Sequence, residues 1–225
     1  MDSRNCGAVE TMLRKNYALK ELNLSSNHFA GENAGCICEA LTRTNRTLEV
    51  LDLSGNQLTD SSMLAVISML QTNPILRVLR LHGNSINDLT EQLFNVMARE
   101  NTTLTHLSLT YRDNFSDSAI ETIASVFKTN KTLKDLRIES TRLGDDCVQA
   151  ICSALKNQNR TLTLLELTFT KLTNASVSAV IDMISNNQTL QELHLYESGI
   201  SPENQSKIKN VAQKRIPPPQ IQFSS

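Results

Sequence analysis

The chain has 225 residues, 40% of them hydrophobic, and a formal net charge of −1, so it is long enough for one domain or two small ones. That charge gives no global attraction to nucleic acid or anionic lipid, and no apolar run approaches the ~18 residues a membrane-spanning helix needs. With no Trp and 4% aromatic residues the core is expected to consist of Leu, Ile, Val and Ala, and five Cys without framework spacing suit a reducing, cytoplasmic compartment.

Residues 5–18 place Cys6, Val9 and Leu13 at helical spacing with no strand before them, a half-unit that is either a cap or part of a longer array. At Leu19 a pattern begins that recurs at Leu48, Leu76, Leu104, Leu133, Leu162 and Leu190, at intervals of 28 or 29 residues. Two apolar residues follow each of these at fixed offsets: Leu22 and Leu24, Leu51 and Leu53, Leu79 and Leu81, Leu107 and Leu109. Leu136 and Ile138, Leu165 and Leu167, and Leu193 and Leu195 complete the series. In residues 48–58, "LEVLDLSGNQL", the inward leucines alternate as in a strand, and Asp52 between them faces solvent. Asn56 leaves the strand and can bond the backbone of adjacent turns, because its amide both donates and accepts.

The second half of each unit is helical. Ala34, Ile37, Cys38 and Leu41 are spaced by three, one and three residues, which puts them on one stripe. Met63, Val66, Ile67 and Leu70 repeat this, as do Ile120, Ile123, Ala124 and Phe127. So do Val148, Ile151, Cys152 and Leu155, and Val177, Val180, Ile181 and Ile184, while the third unit carries Leu93, Phe94 and Met97 shifted back by one. Seven strand segments in register describe a solenoid, one domain over residues 1–216 whose contacts run between neighbouring units.

Ser201-Pro202-Glu203 reads as a helix start, and Gln205 and Lys209 at two core offsets give the last helix a polar outer face. Pro217–Pro219 then favours an extended tail over 217–225 that adds little to stability. Two departures stand out. The Asn27, Asn56 and Asn84 position becomes Arg112, Thr141, Thr170 and Ser198, so an asparagine ladder is not expected in the C-terminal half. The stretch "TYRDNF" holds one extra residue, placing Tyr111, Arg112 and Asp113 in a longer loop: a tolerated insertion or a protrusion that contacts a partner.

This pattern resembles the leucine-rich repeat family, and its 28/29-residue period, helical second half and "NRTL"-type approach to each strand resemble the ribonuclease-inhibitor-like subfamily. The resemblance spans residues 5 to about 212 and implies an α/β leucine-rich-repeat solenoid, a right-handed horseshoe with parallel strands on the concave face and helices on the convex face. Relatives of this kind include enzyme inhibitors, sensor arrays of nucleotide-binding immune receptors, actin-filament regulators and small-GTPase activators. The last would imply a critical surface arginine, with Arg80, Arg112 and Arg137 as candidates.

The residues themselves offer no catalytic chemistry. Nothing matches a phosphate loop, a zinc motif or a nucleophile elbow, so no enzyme activity, cofactor or metal is expected. Cys6, Cys38 and Cys152 occupy core offsets, whereas Cys36 and Cys147 lie off the stripe and are expected as exposed thiols. Nine N-x-S/T sequons occur, five of them in the helix-to-strand loop, where they belong to the repeat.

What remains is the concave face. From the fifth unit onward it is acidic, with Phe169 and Tyr196 interleaved, the wrong sign for nucleic acid but suited to docking a basic protein segment. The expected function is a non-catalytic module that binds a protein partner through this face, as a monomer, with no nucleic acid or membrane involved; regulation of an enzyme is the alternative. Candidate contacts are Arg80, His82, His106, Tyr111, Arg112, Arg137, Glu139, Glu166, Phe169, His194, Tyr196 and Glu197. Glu139, Glu166 and Glu197 are expected on adjacent strands about 5 Å apart, repelling one another, so that neutralising them would cost no stability.

Overall fold

The computed structural model describes residues 3–27, 33–84, 89–111, 117–140 and 143–223, the side chains of residues 3–5, 33, 111 and 117 excepted. Helix α1 (Ser3–Lys15) comes first. Then alternate β1 (Glu21–Asn23), α2 (Asn33–Arg43), β2 (Val50–Asp52), α3 (Asp60–Thr72), β3 (Val78–Leu81), α4 (Thr90–Arg99), β4 (His106–Tyr111) and α5 (Asp117–Thr129). The chain continues through β5 (Asp135–Ser140), α6 (Asp145–Asn157), β6 (Leu164–Thr168), α7 (Val177–Asn186), β7 (Glu192–Tyr196), α8 (Pro202–Ala212) and β8 (Gln220–Gln222). The strands form one parallel sheet in chain order, with a layer of helices on one side and the other side open.

Leucine sets the register. Pairing places Leu22, Leu51, Leu79, Leu107, Leu136, Leu165 and Leu193 side by side, and from Leu51 onward each is at most 1% exposed. The helical stripes face this row: Ile37, Leu41, Val66, Phe94, Ile123, Ile151 and Ile184 are fully buried. Each unit closes its apolar strand face with its own helix, and the core runs unbroken from α1 to α8.

A second column of buried helix residues flanks each stripe. Ser62 and Met69 on α3, Ala119 and Val126 on α5, Cys147 and Ala154 on α6 and Met183 on α7 are all buried. Helices of a solenoid pack against each other as well as against the sheet, so the buried arc is wider than one stripe. Cys147, expected exposed, is therefore 1% exposed, and burial pushes its thiol up to about 12. Cys36 is half-buried against the core.

The units are also joined by polar bonds. In the six helix-to-strand loops from α2–β2 to α7–β7 an asparagine carboxamide oxygen accepts from two backbone amides leading into the strand. Its nitrogen donates back to a carbonyl at the end of the preceding helix. Asn130 accepts from Thr132 (2.9 Å) and Leu133 (2.8 Å) and donates to Met97 O (2.7 Å) and Asn101 O (3.2 Å). Asn45, Asn73, Asn101, Asn159 and Asn187 do the same with Leu13, Leu41, Leu70, Phe127 and Leu155. These six are at most 5% exposed, so the five sequons among them are packing elements, closed to glycosylation in the folded chain. A second ladder at the strand exits runs from Asn27 N to Asn56 Oδ1 (2.9 Å) and from Asn56 N to Asn84 Oδ1 (3.1 Å). Further on Ser198 turns back to Leu195 O, and the buried Thr170 hydroxyl has no hydrogen-bond partner among the described residues. Arg112 and Thr141, the two positions between these and Asn84, lie outside the described residues.

The C-terminus corrects the sequence reading, which foresaw seven strands and a loose tail. Arg215 arrives where the next loop asparagine would stand and donates to Asn187 O (2.7 Å) and to Leu190 O. It is 7% exposed, and burial lowers its pKa. Beyond the prolines, Gln220 N donates to Gln191 O (2.7 Å), and Ile221 takes the next place in the leucine row beside Leu193. Ile221 and Phe223 pack against the core, with the Lys209 ammonium 5.4 Å from the Phe223 ring centroid. Three prolines stop a helix but leave extended chain, which is what a parallel edge strand needs. Deleting residues 217–225 is accordingly expected to remove about 3 kcal/mol of apolar burial and lower Tm by roughly 6–12 °C. A shift below about 3 °C in a thermal melt would contradict this role for β8.

Candidate interaction surface

On the open face one residue stands between the two inward-facing apolar residues of each strand. Register lines these up as Asn23, Asp52, Arg80, Ser108, Arg137, Glu166, His194 and Gln222. A second row contains Thr110, Glu139, Thr168 and Tyr196.

The central ionic cluster spans β5 to β7. The Arg137 guanidinium holds the Asp135 carboxylate through Nε (3.0 Å) and Nη2 (2.9 Å), and this bond raises the arginine pKa. Its Nη1 lies 3.5 Å from Glu166 Oε2, and His194 Nδ1 lies 3.4 Å from the same oxygen. His194 Nε2 is 3.3 Å from Glu192 Oε2, a Coulombic contact without hydrogen-bond alignment. The Tyr196 ring covers the imidazole, centroids 5.3 Å apart, and its hydroxyl donates to Gln222 Oε1 at 2.5 Å. Burial, and then the Glu166 charge, push the Tyr196 pKa up. His194, expected on the open surface, is 7% exposed, because the eighth strand sets Gln222 beside it and Tyr196 lies over it.

The three glutamates are not neighbours in one row. Glu139 pairs with Thr168, accepts from the Thr110 hydroxyl (3.0 Å) and faces His82 Nδ1 at 3.8 Å. Glu166 sits between Arg137 and His194, compensated on both sides. Glu197 is exposed beyond the end of β7. Mutual repulsion is therefore not what governs them, and removing Glu166 would strip a partner from Arg137 and from His194. Arg80 is exposed and makes no ion pair among the described residues. His106, also exposed, has Nδ1 2.7 Å from Thr105 Oγ1. Tyr111 ends β4 in backbone only, and Arg112 with its loop lies outside the described residues.

Phe169 is the residue whose conformation the sequence did not disclose. Its phenyl is 47% exposed and its φ is +55°. The equivalent strand-exit residues Ser26, Gly55, Gly83 and Glu197 also have positive φ, from +49° to +66°. Tyr111 and Ser140, at the same position of β4 and β5, stay in the strand, so five units turn left-handed there, a conformation glycine adopts without strain. A Cβ on Gly83 would come within 3.4 Å of Gly55, so stacking of the units adds crowding at that site. A bulky residue in this region costs roughly 1–2 kcal/mol, and Phe169 incurs that strain while leaving half its ring in water.

Profiles described as Leucine Rich repeat match residues 44–66, 129–152 and 158–180, and one described as Leucine Rich Repeat matches 18–40. Mouse (Mus musculus) ribonuclease inhibitor is 27% identical over 195 residues, covering 84% of this chain and 42% of that protein. This is a leucine-rich repeat protein of the ribonuclease-inhibitor-like type. Bovine (Bos taurus) NACHT, LRR and PYD domains-containing protein 3 is 28% identical over 201 residues, 87% of this chain and 19% of its own length. The leucine-rich repeat protein thus spans a fifth to under half of the curated relatives it matches. Among solved structures, the leucine-rich repeat-containing protein LegL7 of Legionella pneumophila aligns with a TM-score of 0.52 at 18% identity. That alignment covers 90% of this chain and 74% of LegL7, and it shows the shared fold.

For this leucine-rich repeat protein, Phe169→Gly is expected to change stability by less than about 0.5 kcal/mol, since relief of backbone strain offsets the lost partial burial. Phe127→Ala, in the core at 1% exposure, is expected to cost about 3–5 kcal/mol. Urea denaturation of the two variants checks the contrast; equal losses would place Phe169 in the core.

Proposed function

We propose that the protein is a non-catalytic interaction module that docks a basic segment of a protein partner across β5–β7, with Phe169 as the apolar anchor. The observation that carries this reading is the exposed phenyl at a backbone position where glycine would be unstrained. Strain retained at a surface position that adds little to the core is a mark of binding. Glu139 and Glu197 beside it and Glu192 at the start of β7 supply negative charge, while Arg137 is committed to Asp135 and Glu166. Binding of proteins is the general role of this repeat family, and the ribonuclease inhibitor relative carries an enzyme partner in its name. If the captured partner is an enzyme, the module is its regulator. No disulfide links the five cysteines, four of which are buried, which suits the cytoplasm.

The test begins with affinity capture from the native cell by the wild-type chain, followed by binding kinetics with the purified partner. Phe169→Ala is expected to speed dissociation, weakening binding by about 1–3 kcal/mol. Glu139→Gln with Glu197→Gln is expected to slow association, more at low salt than at high. Lys128→Ala on the helical face serves as a control with no effect. A partner indifferent to the first two variants and lost with the third would move the site to the helices.

A further inference from the structure

The β3–β5 end of the open face differs in character from the β5–β7 end. A cup of about 380 Å³ lies there over Ser108, walled by Arg80, His82, His106, Asp135 and Arg137. Ser108 is 7% exposed, and its hydroxyl, at the floor of the cup, has no hydrogen-bond partner among the described residues. Register sets Arg80 and Arg137 on the strands either side of it. Arg137 is held by Asp135, but Arg80 is exposed and makes no ion pair among the described residues. Asp52, its neighbour on β2, turns instead to the Ser54 amide at 2.9 Å. His82 leans toward Glu139 at 3.8 Å, whereas His106 contacts only Thr105 through Nδ1.

Two donors of this cup lack an acceptor. Arg137 is taken by Asp135 and Glu166, which leaves the positive charge of Arg80 unmet by any carboxylate among the described residues, with the Ser108 hydroxyl as an unused donor beside it. A single carboxylate balances that charge, and its two oxygens match both the fork of a guanidinium and a hydroxyl below. A phosphate dianion would place surplus negative charge against Asp135. We infer that the cup over Ser108 is a subsite for one carboxylate, an Asp or Glu side chain of the protein partner, gripped by Arg80 and hydrogen-bonded by Ser108. The assignment to a partner side chain rests on the protein-binding reading above. It means that the docked segment has mixed charge, acidic where it meets β3–β4 and basic toward β5–β7.

The subsite can be tested without the partner, which separates its failure from failure of the wider reading. The probes are the capped peptide acetyl-Gly-Glu-Gly-amide, its Gln counterpart and inorganic phosphate, titrated into the full chain and followed by NMR at the Ser108 amide and the His106 ring. The Glu peptide is expected to give saturable shifts there and the Gln peptide none. Arg80→Gln is expected to weaken the Glu peptide about tenfold, as loss of a bidentate ion pair should. Ser108→Ala, which removes a hydroxyl that bonds nothing in the free chain, is expected to weaken it about threefold with Tm unchanged. Absence of saturable shifts from the Glu peptide, equal shifts from the Gln peptide, tighter binding of phosphate or an unaltered Arg80→Gln variant would each overturn the inference. A partner that binds through Phe169 while the peptide fails would leave the docking reading standing and the carboxylate subsite refuted.

Discussion

The buried carboxamide between successive units is the interaction on which the structure depends. A solenoid has no contacts between distant units, so whatever fixes one unit against the next fixes the whole. Leucine packing provides most of the attraction but little direction, since apolar contact tolerates small slips. The loop asparagine removes that freedom. Its oxygen ties down the two amides that lead into a strand, and its nitrogen ties the same loop to the end of the previous helix. All four groups are shielded from water, so an unmade bond there leaves a buried polar atom unpaired.

Register held in this way gives the open face its order. One residue per unit stands at each lateral position, and charge can be arranged across strands as reliably as along a helix. The cluster from Asp135 through Arg137 and Glu166 to His194 is built from four single residues on three successive strands. Five of the strand exits turn left-handed, two with glycine and the others with Ser26, Phe169 and Glu197, while Tyr111 and Ser140 at the same position continue their strands. At the C-terminal end the device changes. Arg215 reaches the carbonyls that the next asparagine would have met, and the strand beyond it closes the leucine row with Ile221.

The scaffold was legible because its signal is periodic. Leucines every 28 or 29 residues place strands, helices and their facing sides without any knowledge of contacts. What escaped is what depends on lateral neighbours. The loop asparagines looked like sequons of the repeat because their partners lie about thirty residues away, in the preceding unit. Cys147 looked exposed because a single helical wheel omits the adjacent helix that covers it. The face looked like uncompensated acid because its carboxylates meet their cations only once strands are aligned. The last strand was hidden behind three prolines, a signal read as an ending when it forbids only a helix.

The central claim is that side-chain bonds crossing from unit to unit hold the register, and urea unfolding of Asn130→Ala tests it most directly. The substitution removes five bonds and adds no bulk. The account predicts a loss of about 2–4 kcal/mol, far above that of an ordinary polar-to-alanine change. A loss below about 1 kcal/mol would mean that leucine packing alone aligns the units and that the asparagine ladder merely follows.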